Sequence, residues 1–131
     1  MSDSGALITH YKDIEPSEFG AEAPGVSIRV LIDDERDGAP VYILRMIEIA
    51  PGGNTPDHSH PYEHENFVIE GKGEVMVEGE WSAIGKGSVV FVPPSVRHQY
   101  RNTGGDPLRF LCGIPAKRLQ GAGRFKAADE G

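Results

Sequence analysis

Between Pro51 and Gly73 the chain reads PGGNTPDHSHPYEHENFVIEGKG, and His58, His60 and His64, three of its five histidines, crowd into that stretch. In an extended segment side chains alternate between faces, so positions i, i+2 and i+6 point the same way. Pro56, Pro61 and the flanking glycines disfavour a helix, and a bent strand or strand-turn-strand is expected instead. A fourth histidine, His98, opens a strand after the Pro93-Pro94 turn of GKGSVVFVPPSVRHQYRN. Imidazole is the commonest protein metal ligand, and several neutral rings can share one divalent cation. Bringing His98 to the other three requires a sheet that curls, as in a barrel, and this requirement restricts the fold more than any other feature of the chain.

The rest of the sequence agrees with such a fold. Seventeen glycines and ten prolines among 131 residues cut the chain into short β-branched and aromatic runs, the pattern of an all-β barrel or sandwich of one domain. Residues 1–25 are polar and turn-rich and are expected to form an arm or a short edge strand. The barrel should span 26–115, and 116–131 reads as a tail. Strands are expected at 26–32, 41–50, 64–70, 73–78, 80–84, 88–92, 98–103 and 108–114. Hairpins are expected across the GKG of 71–73, across Glu78-Gly79 and across NTGGDP, and DDERDG after the first strand reads as a charged turn. The run SVVFV has the apolar continuity of a strand buried on both faces, and His10 reads as a surface histidine.

The run Val41 to Ala50 has two distinct faces. Val41, Ile43, Arg45, Ile47 and Ile49 lie on one, and Tyr42, Leu44, Met46 and Glu48 on the other. Arg45 is thus a permanent cation in the more apolar face, where burial without a partner costs several kcal/mol. It pairs with a buried carboxylate or faces a wet cavity and a ligand, and the cavity is favoured. His98, Tyr100 and Asn102 share one strand face, and Leu108, Phe110 and Cys112 share another. Tyr100 and Phe110 are therefore candidates to wall the pocket or simply to fill the core. Cys112 reads as a small core residue, with a thiol role as the rival.

Net charge is −7 with scattered basic residues, which argues against nucleic acid and anionic membrane as partners. A single cysteine excludes an intrachain disulfide. The N-terminal stretch lacks a signal-peptide core and no stretch has membrane-spanning length, so a cytoplasmic protein is expected.

Gly52, His58, His60, His64 and Gly71, followed by Gly87, Pro93, His98 and Asn102, resemble the paired motifs of the cupins, with His64 where that family usually has glutamate and Ser95 in place of a glycine. Glu65 is the rival third ligand in a register one residue longer; the six-residue gap to Gly71 favours His64. The resemblance covers about Val26 to Pro115 and is strongest to single-domain manganese cupins with four histidines. It implies a double-stranded jelly-roll barrel, a homodimer, and a divalent metal on His58, His60, His64 and His98. Manganese is the first expectation, then iron or nickel, with zinc or copper also suited. If the geometry is octahedral, two adjacent positions stay open, and the activity expected is oxidation of a small oxygen-bearing organic substrate with dioxygen or a peroxide, Arg45 steadying negative charge while Tyr100 and Phe110 shield the reacting group. Lewis-acid isomerisation or epimerisation of a sugar derivative, and ligand binding without turnover, are the alternatives. Metal binding should weaken as pH falls through about 6, where free imidazole takes up protons.

Overall fold

Nine strands follow one another between Ser17 and Pro115 in the computed structural model, which describes residues 4–120. They are β1 (Ser17–Glu18), β2 (Val26–Ile32), β3 (Tyr42–Ile49), β4 (His64–Glu70), β5 (Lys72–Val77), β6 (Glu80–Gly85), β7 (Val89–Val92), β8 (His98–Asn102) and β9 (Leu108–Pro115). Six form one sheet in the order β1-β2-β3-β9-β4-β7, and three form a second in the order β6-β5-β8. The pairings are antiparallel, and the result is the all-β jelly roll expected from the sequence.

Alternation decides which residues lie between the sheets. On β3, Ile43, Ile47 and Ile49 are buried while Tyr42 is exposed. They pack with Val68, Val75, Tyr100, Leu108, Phe110, Cys112 and Ile114 into one core. Because the sheets are separate ladders, these interior side chains are what joins the two layers across the core. The outer face of the larger sheet is also apolar, carrying Phe67, Val89 and Phe91 in exposed positions.

Two expected hairpins do not form. The β5–β6 hairpin does, through Glu78 (φ 50°) and Gly79 (φ 88°), the double left-handed turn that suits strand twist. Across GKG, however, β4 pairs with β7 and β9 while β5 pairs with β6 and β8. The chain changes sheets at Gly71, whose φ of 88° turns it tightly over the start of β9. β8 and β9 are likewise parted into different sheets. The corner between them is built on Asn102, whose amide donates to the carbonyls of Ile49 and Asp106 at 2.8 Å each and whose Oδ1 accepts from the Gly104 N–H at 2.8 Å. Turn residues mark where a chain reverses; they do not show whether it returns beside itself or crosses to the facing layer.

Three smaller expectations also change. SVVFV is an edge strand, with Val89 and Phe91 77% and 57% exposed and Val92 buried. The charged DDERDG forms a single helical turn, α1 (Asp34–Asp37), capped by the Asp33 carboxylate on the Arg36 N–H at 2.8 Å and closed by left-handed Gly38. Val41 lies before β3 and is exposed. The arm contributes a 3-10 turn at Tyr11–Asp13 and the short β1. A 3-10 turn at Lys117–Leu119 follows β9, and 121–131 of the expected tail lie outside the described residues. No helix among the described residues is long and apolar enough to cross a membrane.

Candidate metal centre

The expected bent strand carrying His58 and His60 is an irregular segment that runs along the free edge of β8. The Thr55 N–H donates to the Tyr100 carbonyl at 2.9 Å, and His58 and His98 exchange backbone hydrogen bonds of 3.2 and 2.9 Å. Between the Asn54–Arg101 and His58–His98 bridges the segment carries one residue more than β8, and the Tyr100 N–H goes to Thr55 Oγ1 at 2.8 Å, so the pairing consists of isolated bridges rather than a ladder. Opposite them Ser95 adopts φ 63°, the left-handed conformation that explains why the cupin pattern prefers glycine there, and its N–H donates to the His60 carbonyl at 2.8 Å. His64 opens β4 in one sheet and His98 opens β8 in the other.

These elements bring all four rings together. One nitrogen from each of His58, His60 and His98 lies within 4.8 Å of the others. His64 stands against them, its ring centroid 4.5 Å from that of His60 and 5.0 Å from that of His98. Glu65 points the other way, into a separate groove on the outer sheet face with Tyr42 and Leu44. The ring protons can be placed for two histidines. His60 Nδ1 lies 2.9 Å from the Tyr62 carbonyl and His98 Nδ1 lies 2.8 Å from that of Val96. A carbonyl only accepts, so each Nδ1 carries the hydrogen and each Nε2 presents a lone pair. The Nε2 atoms of His60, His64 and His98 are buried without a hydrogen-bond partner. Buried polar atoms are ordinarily satisfied, and convergent unsatisfied imidazole nitrogens fit a metal cation.

The four rings line a cavity of about 370 Å³, large enough for a small organic molecule. Arg45 lines it too and, among the described residues, is the one formally charged side chain to do so. No carboxylate lies within ion-pair distance of it among the described residues. Its Nη2 donates to Cys112 Sγ at 3.1 Å, while its Nε is buried without a partner. Tyr100 and Phe110 stack with centroids 4.5 Å apart and both wall the cavity and fill the core, so the two readings of that pair describe the same atoms. The Tyr100 hydroxyl donates to Asn66 Oδ1 at 2.8 Å, and burial pushes its pKa up, so it is a wall rather than a proton source. Cys112 is fully buried, as a core residue should be, and its sulfur also touches the site.

Two aromatic wall residues were not singled out from the sequence. Tyr62 stacks on His60 at 4.0 Å, and its place in the HPYEH run was the available signal. Phe19 reaches the cavity from the N-terminal arm, where nothing in the local pattern marks it.

Burial sets the electrostatics. It lowers the pKa of all four histidines, that of His60 to about 4 and that of His64 to about 2, with neighbouring cationic rings or Arg45 adding to the shift of His58, His60 and His64. The rings are therefore neutral near pH 7, and proton competition for a metal begins below the value of about 6 expected from free imidazole. Between about 6.5 and 4 the unfolded chain takes up protons that the folded rings refuse, so stability of the metal-free protein falls as pH drops through that window. Glu65 acts in the opposite sense, because burial first and then its hydrogen bond to Glu63 raise its pKa to about 7. Four histidines outweigh one carboxyl. The urea midpoint of metal-free protein should be lower at pH 5 than at pH 7, and an equal or higher midpoint at pH 5 contradicts this account.

Known proteins share this fold. A cupin-domain family profile matches residues 45–114, more than half the chain. The chain is 35% identical over 91 residues to the tetracenomycin polyketide synthase protein TcmJ of Streptomyces glaucescens, covering 69% of this chain and 61% of that one. It is 29% identical over 105 residues to the polyketide synthase CurC of Streptomyces cyaneus, covering 79% and 66%. The chain thus spans less than two thirds of the length of these relatives. The structure of the polyketide cyclase RemF from Streptomyces resistomycificus superposes with a TM-score of 0.79 at 30% identity, covering 86% of this chain and 80% of that one. The barrel, the matched residues and these likenesses together make the chain a member of the cupin domain family.

Proposed function

We propose that this cupin is a metal-dependent enzyme acting on a small, carbonyl-rich organic molecule of the polyketide type. The observation that carries the reading is the set of unpartnered imidazole nitrogens of His60, His64 and His98 in a cavity shared with Arg45. His58, His60 and His98 would hold the cation with His64 as fourth ligand, manganese first among the candidates. Bound there, the metal supplies Lewis acidity toward a substrate oxygen.

The chain's own residues define what else the site does. The Nε–H of Arg45, buried and unpartnered, suits an anionic oxygen such as an enolate or carboxylate. Tyr62, Tyr100 and Phe110 offer flat apolar walls that exclude water from the bound molecule. Four neutral imidazoles leave the charge of a dication undiminished, which strengthens Lewis acidity and disfavours higher oxidation states. Non-redox carbonyl chemistry, such as ring closure, is therefore favoured over the oxidative use of the same site. The shielding aromatic walls speak for the oxidative reading, and uptake of oxidant separates the two.

Metal-loaded protein should convert members of a panel of β-diketones and poly-β-ketones in an oxygen electrode without consuming oxygen. Arg45→Met should lower kcat/KM about ten- to a hundredfold while the protein stays folded, the value of one charge-assisted hydrogen bond. Turnover only with stoichiometric oxygen uptake replaces this reading with the oxidative one, and full activity in Arg45→Met removes the anion-holding role.

A further inference from the structure

Burial along the cavity wall shows which end of it is open. Among the described residues that line it, Ile47, His64, His98, Tyr100 and Phe110 are buried, whereas Phe19 and Ser59 are exposed. The mouth therefore lies at Phe19 and Ser59, and Phe19 is the bulky side chain of the two. A molecule whose oxygens reach the histidines has its outer end beside that ring.

The backbone turns Phe19 inward. Ser17 stands opposite Ile28 and Glu18 opposite Ser27, and the Phe19 N–H continues this pairing to the Val26 carbonyl at 3.3 Å. Residues opposite one another on paired strands share a face, and Val26 faces the interior at 1% exposure, so Phe19 points the same way. Yet Phe19 is 39% exposed. An aromatic ring that faces inward and still meets water is not closing a core; it stands in an opening.

Its place there is fixed from both sides. Before it, Arg29 Nε donates to the Ile14 carbonyl at 3.0 Å and pins the arm to β2. After it, the chain turns at Gly20, whose φ is 104°, and buries Ala23 at 1% exposure. Phe19 is thus a doorpost rather than a loose side chain on a free arm.

We propose that Phe19 is a specificity-determining residue at the mouth of the site, favouring flat, conjugated molecules by aromatic contact and turning away branched saturated ones by its bulk. The inference rests on the metal-enzyme reading of the cavity and adds to it the shape of the molecule that is taken.

The test uses cobalt-loaded protein and three hydroxamates that share one metal-binding head: acetohydroxamate, 2-naphthohydroxamate and adamantane-1-hydroxamate. Binding is read from the visible absorption of cobalt. Wild type should bind the naphthyl compound more tightly than the adamantyl one. Phe19→Ala should weaken the naphthyl compound about three- to tenfold, the size of one lost aromatic contact. It should tighten the adamantyl compound and leave acetohydroxamate unchanged. Phe19→Tyr, which keeps a flat ring, should keep the wild-type order. A purely structural role would move all three probes together. Phe19→Ala that binds the three as wild type does, or weakens all three alike, overturns the role of Phe19 while acetohydroxamate binding by wild type leaves the metal site standing. Wild type that takes up neither cobalt nor acetohydroxamate defeats the metal-site reading, and this inference with it.

Discussion

Replacing His98 by alanine should leave a folded protein that no longer holds a divalent cation. His98 is 1% exposed and its Nε2 is unpartnered, so the ring contributes no side-chain hydrogen bond beyond the one from Nδ1 to Val96. Its backbone bridges to His58 survive the substitution because they involve main-chain atoms. Removing one imidazole should weaken metal binding about a hundredfold or more, since even loss of an outer-shell partner costs ten- to a hundredfold. At a metal concentration about a hundred times Kd, wild type gains about 2.7 kcal/mol from binding. Metal should therefore raise the Tm of wild type by several degrees and that of His98→Ala by little. His64→Ala should behave like His98→Ala, whereas Glu65→Ala, which alters the outer groove, should bind as wild type does. Elemental analysis showing one equivalent of metal retained by His98→Ala at undiminished affinity would remove the basis of the site.

A second large effect is expected far from the cavity. Gly71→Ala should destabilise the domain by about 3 kcal/mol, which corresponds to a fall of about 10 °C in Tm. A methyl group at Gly71 would press into the Pro107 carbonyl oxygen and stand 2.8 Å from Leu108 Cα, and these backbone atoms cannot swing away. The φ of 88° adds the strain that any side chain suffers in that region. Gly87 provides the control: its φ is 91°, but a methyl group added there would meet nothing within 4 Å. Gly87→Ala should cost only the conformational strain, about 1 to 2 kcal/mol. Equal losses in the two variants would show that the crossing over β9 carries no tight contact.

Much of this architecture could be read from local pattern because local pattern is what alternation and turn chemistry record. The strands fell close to their expected positions, and the inward faces of β3, β8 and β9 follow from parity alone. Partner choice was less legible. Gly71 reads as a hairpin glycine, yet it sends the chain into the other sheet, and the Leu108 end of β9 that forces this is remote in sequence. The same limit applies to the site. The spacing of His58, His60 and His64 and the offset of His98 were visible, and the parity of β4 separates His64 from Glu65. The approach of Cys112 to Arg45 and His64 depends on the β3–β9 and β9–β4 registers, which no short stretch contains. Phe19 was invisible for a similar reason, since its place in the cavity is decided by how β1 lies on β2.

His64 and His98 begin strands of different sheets, and His58 and His60 belong to the segment stitched along the edge of β8. An ion gripped by these rings would act as a rivet through both plies of the barrel. Loading would then tighten the seam between plies as well as equip the cavity, and local opening of that seam would be the route by which the ion escapes.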